Sequence, residues 1–172
     1  MLDRNIAVLQ KLIAQTIAAD HSLEARCKRL REVEGIGLIS SATLLALMPE
    51  LGSLSRSRAA ALAGVAPFAR DSGYERGKRR ICGGRTAVRN VLYISTLTAI
   101  VRNRRFKQFY QRLRSAGKPA KLALTAVMRK LVILLNLMLQ NPLFSLAPSH
   151  VPPRIARRSG RSPFVNSLHK LR

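Results

Sequence analysis

The 172-residue chain is 47% hydrophobic and carries 31 Lys+Arg against 8 Asp+Glu, a formal net charge of +23. That length suits one domain with a real core. No run of about 18 uninterrupted apolar residues marks a membrane span, and the N-terminus lacks a basic leader followed by an apolar block, so a cytoplasmic protein with no membrane partner is expected.

Where the charge sits matters more than its sum. All eight acids lie in the first 75 residues, beside nine basic ones, and the remaining 97 residues hold 22 basic residues and no acid. A field of one sign attracts polyanions, and nucleic acid is the commonest in that compartment. A surface tuned for solubility alone would mix its signs.

In chain order, Leu2, Ile6, Leu9, Ile13, Thr16, Asp20, Leu23, Cys27 and Leu30 alternate in spacings of four and three. With no Pro or Gly before Gly35, this predicts one long coiled-coil-like helix over residues 1–32, its seam interrupted by Thr16 and Asp20. The seam suits either a dimer partner or the chain's own domain. Residues 33–140 read as a second unit. Two helical patterns meet at Gly35-Ile36-Gly37, a helix-hairpin-helix grammar in which the glycines make the turn, Ile36 plugs the core and the amides opening the second helix can meet a phosphate. An ordinary helix-turn-helix packing unit would need the same glycines.

The segment "SRAAALAGVAP" predicts a short helix ended by Gly64 and Pro67. A loop carrying Ser72 follows. From Thr86 a helix is expected with Val88, Leu92, Tyr93 and Thr96 on one face, continued or restarted until the Gly117-Lys118-Pro119 turn. The apolar run from Ala120 to Leu139, punctuated by Lys121, Arg129 and Lys130, predicts a core helix. Residues 141–172, with five prolines and scattered arginines, read as a disordered basic tail. The expected fold class is all-α, a small helical bundle.

Chemistry is narrowed by what is missing. Two-metal phosphoryl transfer needs converging carboxylates, and none follows Glu75, so no metal ligands are expected in this chain. His21, His150 and His169 fit no catalytic triad, and Cys27 and Cys82 have neither metal-ligand nor disulfide spacing. In "ICGGRTAVR" the glycines Gly83 and Gly84 precede a helix with Arg85 and Arg89 at its start. Lacking the Walker lysine and hydroxyl, it reads as a backbone-phosphate clamp. Ser72 is a hydroxyl set amid dense charge: Arg70, Arg76, Lys78, Arg79 and Arg80. A serine attacking a phosphodiester needs its proton removed and the added negative charge neutralised. The basic residues meet the second need; Asp71, or groups from elsewhere, must meet the first. "DSG" is also ordinary turn chemistry.

Taken together, "VEGIGLISSATLLALMPELGSLSRSRAAALAGVAPFARDSG", "RRICGGRTAVRNVLY" and "FYQRLRSAGKPAKLALTAVMRKLVILLNLML" resemble, in order, the C-terminal domain of the serine-dependent DEDD-type transposases of bacterial insertion sequences, the IS-one-ten group. The resemblance spans about residues 30–139 and implies DNA recombination directed by an element-encoded guide RNA, with Ser72 as the position matching the family's nucleophile. It further implies Mg²⁺ held by carboxylates of an N-terminal RNase-H-like domain that this sequence does not contain, hence an incomplete copy inactive alone. On that reading Gly35, Gly37, Arg70, Arg76, Lys78, Arg79, Arg80, Arg85 and Arg89 contact nucleic acid, and the partners are DNA, guide RNA and either a second copy or a full-length transposase. Two rivals remain: a non-catalytic helix-hairpin-helix module regulating a transposase, and a basic RNA-binding protein of translation.

Overall fold

A computed structural model describes residues 1–68, 71–72, 75–76 and 80–144. Among them seven helices carry the fold, as the all-α expectation required: α1 Leu2–Ala19, α2 His21–Arg31, α3 Leu38–Leu47, α4 Arg56–Leu62, α5 Thr86–Arg102, α6 Arg104–Ser115 and α7 Ala120–Gln140. The expected site residues Arg70, Lys78 and Arg79, and the tail from residue 145 onward, lie outside the described residues.

The core forms around α7. Its residues Ala123, Leu124, Val127, Met128, Leu131, Val132, Leu135, Asn136 and Met138 are buried, a spacing that covers two neighbouring rows of the helix and lets it pack against α2, α4, α5 and α6 together. α7 is long and apolar enough to cross a membrane by length and composition. Its buried rows instead face helices of the same domain, which is what a core helix of this length requires.

The single N-terminal helix of the sequence reading is in fact two. The break falls at Asp20, whose backbone is extended (φ −112, ψ 106) and whose carboxylate accepts from the amides of Ser22 and Leu23 as the N-cap of α2. An aspartate contributes less inside a helix than it does by satisfying two orphan amides at a helix start. The polar interruption of the heptad seam is therefore a helix boundary. Beyond it Cys27 and Leu30 are buried in the domain, whereas before it Leu2, Ile6 and Leu9 are exposed and Ile17 alone in α1 is buried.

Three further differences from the sequence reading are local. Tyr93 is exposed, although Val88, Leu92 and Thr96 of its expected face are buried; it lines an open apolar groove with Leu97, Val101, Tyr110 and Leu124. The loop expected around Ser72 contains short antiparallel pairings. Pro67–Phe68 (β1) pairs with Arg80–Ile81 (β4) and Asp71–Ser72 (β2) with Glu75–Arg76 (β3), and these paired segments are called the arm below. Finally, Asn141 to Phe144, expected in the tail, are held to α2, where the Arg29 guanidinium donates to the carbonyls of Pro142 and Phe144.

Candidate nucleic-acid interface

The turn between α2 and α3 is built by Gly35, at φ +99. A β-carbon there would lie 2.6 Å from the Ser95 carbonyl oxygen and 2.8 Å from the Ala99 amide nitrogen, so the turn rests directly on the backbone of α5. Ser95 and Ala99 are the small buried residues that allow this approach. Ile36 is buried next to it. Gly37 does something different. Its φ of −93 is open to any residue, and a β-carbon there meets nothing within 4 Å. Gly37 is the N-cap of α3, and no side chain caps the helix. The amides opening α3 thus have no side-chain cap, and the helix end carries partial positive charge. The expectation that both glycines serve backbone geometry holds at Gly35 and fails at Gly37, whose extended backbone makes no such demand.

The second half of the candidate interface is the junction between α4, the arm and α5. Gly64, Gly83 and Gly84 have φ of +68, +66 and +69. A β-carbon on Gly84 would overlap the backbone of Gly64, and the Arg85 amide donates to the Leu62 carbonyl at 2.8 Å. The two glycine segments separated by the arm therefore cross in direct backbone contact, which brings the two ends of the arm together at the start of α5.

Arg85 and Arg89 stand at that crossing, and both are engaged with protein groups. The Arg85 guanidinium grips Glu50 with two bonds of 2.8 and 2.7 Å and donates to the Leu47 carbonyl at 2.8 Å. Those bonds to Glu50 are the largest cause holding its carboxyl down from an ordinary 4.5 to about 2, followed by backbone hydrogen bonding at Glu50 itself. The same carboxylate pushes Arg85 above its usual value. Arg89 donates to the Gly83 carbonyl at 2.9 Å and to the Thr86 hydroxyl at 3.2 Å. With its charge matched by Glu50, Arg85 fastens the arm junction to the loop after α3.

That loop, residues 48–55, is the hub the sequence did not reveal. Arg26 of α2 donates to the carbonyls of Pro49 and Leu51 at 3.2 and 3.0 Å. From α7, the side-chain amide of Asn136 accepts from the Gly52 amide at 2.9 Å and donates to the Leu54 carbonyl at 2.8 Å. Removing that side chain would leave two part-buried backbone groups unpaired, at about 1–3 kcal/mol each. The only available signal was a lone amide inside "LVILLNLML". Arg26, Arg85 and Asn136 thus tie α2, the arm junction and the core helix to one loop.

Ser72 stands in register opposite Glu75 on the arm's β2–β3 pair, and Arg80 is paired with Phe68 at its base. Among the described residues no three His, Cys, Asp or Glu side chains gather to hold a metal. The described residues alone offer no cluster to hold Mg²⁺, whose ligands the resemblance places in a separate domain.

An all-α body that presents a glycine turn and a short arm is the class of structure the geometry defines. Residues 27–111, which contain the turn, the hub loop, the arm and α5, match the family described as Transposase IS116/IS110/IS902 family. The matched segment is 85 of the chain's 172 residues. No curated protein matches the chain.

Proposed function

We propose that this chain is the DNA-binding and strand-exchange region of an insertion-sequence transposase, with Ser72 as the nucleophile toward a DNA phosphodiester. The observation carrying the reading is the family match across 27–111, a span that includes both the Gly35–Gly37 turn and the Ser72 arm. Arg70, Arg76, Lys78, Arg79 and Arg80 hold the backbone near Ser72 and offset the charge that develops during attack. Arg89 supports them from the arm's base, Arg85 fixes that base, and Gly37 leaves the start of α3 open to a second phosphate. A guide RNA supplies sequence choice, and carboxylates from another domain or chain supply the metal. The exposed seam of Leu2, Ile6 and Leu9 meets a second copy or a full-length transposase.

The test uses element-end DNA, guide RNA and Mg²⁺. The chain alone binds DNA with a log–log salt slope near −5, for about six neutralised phosphates, and forms no covalent adduct. Supplying an RNase-H-like domain in trans or fused upstream yields an adduct that Ser72→Ala abolishes while binding persists. An adduct that survives Ser72→Ala overturns the nucleophile assignment. DNA binding that never leads to an adduct under any of these conditions favours the non-catalytic regulatory module.

A further inference from the structure

A second basic surface stands apart from the arm. α5, with 17 residues, places about 25 Å between the Gly83–Arg85 junction and the start of α6 at a rise of about 1.5 Å per residue. α6 is fixed firmly at both ends. The Asn103 side chain caps its start by accepting from the amides of Arg105 and Phe106. Its end is a Schellman closure, with Gly117 at φ +75 and the amides of Gly117 and Lys118 donating to the carbonyls of Arg114 and Leu113. Phe106 is buried, and Phe109, Tyr110 and Leu113 are partly buried on the same side.

The outer side of α6 contains no acid. At about 100° per residue, Arg105 and Arg112 fall along one flank and Lys107 and Arg114 along the other, about 160° away. Arg104, Gln108, Gln111 and Ser115 form the crest between them, and all eight residues are exposed. Arg112 lies over the Phe109 ring at 5.3 Å, with Lys130 of α7 at 3.9 Å from the same ring, which holds that flank in place. Among the described residues, no hydrogen bond or ion pair to protein engages the side chains of Arg104, Arg105 or Lys107.

We infer that α6 is a second DNA-contacting element that lies in a duplex major groove, its two cationic flanks on the opposing phosphate walls and Arg104, Gln108 and Gln111 toward base edges. A helix with side chains is about 10–12 Å across and the B-form major groove about 12 Å wide, so two rails on opposite flanks match two walls. Amide and guanidinium groups at the crest are those that pair bidentately with adenine and guanine edges. An A-form RNA duplex offers no such fit, because its major groove is too narrow to read. The inference rests on the proposal that DNA is the partner, and it assigns to α6 a role independent of the Ser72 arm.

The experiment titrates the full chain with a B-form DNA duplex and a matched RNA duplex by fluorescence anisotropy across salt concentrations. Arg105→Gln with Lys107→Gln should reduce the DNA salt slope by about 1.8, at about 0.9 for each phosphate no longer neutralised. The swap Arg105→Lys with Lys107→Arg should retain it, which separates charge from helix damage. Arg104→Ala with Gln111→Ala should narrow the spread of affinities among unrelated DNA sequences. An unchanged slope in the Gln pair, a reduced slope in the charge-preserving swap, or equal α6-dependent binding of RNA overturns the inference. Arg79→Ala with Arg80→Ala serves as the arm control. Failure of the wild-type chain to bind DNA sinks the proposed function as well, whereas complete loss of binding in the arm variant, with α6 intact, sinks only the role of α6.

Discussion

Gly35→Ala and Gly37→Ala, two residues apart, should separate folding from binding. At Gly35 the backbone is held at φ +99, where an alanine costs about 1–2 kcal/mol. The added carbon also lies 2.6 Å and 2.8 Å from the backbone of Ser95 and Ala99, fixed atoms that cannot swing aside as a flexible side chain would. Displacing the turn from α5 adds about 1–3 kcal/mol of overpacking, so the total is about 2–5 kcal/mol, a large fraction of a domain's stability. At Gly37 the backbone is ordinary and the site open, and an alanine N-cap costs about 1 kcal/mol or less. If the start of α3 faces phosphate, however, a side chain there obstructs the approach. Urea denaturation should therefore place the midpoint of Gly35→Ala far below wild type and that of Gly37→Ala close to it. Anisotropy with duplex DNA, without denaturant and with both variants folded, should show a larger affinity loss for Gly37→Val than for Gly35→Ala. Equal midpoints for the two alanine variants would refute the claimed contact between the turn and α5. Undiminished DNA affinity in Gly37→Val would refute a phosphate at α3.

Two further outcomes follow from the electrostatics and the surface. The Glu50 carboxyl lies below its ordinary value in the folded chain, at about 2, so its contribution to stability is complete above the unfolded value near 4.5 and disappears as pH falls toward about 2. Thermal melts from pH 6 downward should show the gap between wild type and Glu50→Gln closing across that window, and curves that stay parallel would exclude the Arg85 clamp as its source. Leu9→Asp, on the exposed part of α1, should lower the mass seen by light scattering if the Leu2–Ile6–Leu9 seam joins two copies; an unchanged mass removes the second copy as the partner of that seam.

What could be read from the sequence was whatever is written locally. Apolar spacing and Gly/Pro punctuation located α4, α5 and α7, and the turn residues at Gly35 and Gly117 announced their φ demands, because helical periodicity and glycine geometry act over a few residues. The concentration of basic residues needed no structure at all. Tertiary structure decided the rest, since it depends on which distant atoms meet. Asp20 could be a polar position in a seam or the cap of a new helix, and only its extended backbone chose the second. Arg85 reads as a free cation until Glu50, 35 residues earlier, is seen in its grip. Asn136 gives no sign that it holds the hub loop 84 and 82 residues away in sequence. Gly35 and Gly37 are identical letters in one motif, yet α5 passes beneath the first and open space lies before the second. The residue types set what each position can do, and the packing of α5 and α7 against the loops determined which of those possibilities each one realises.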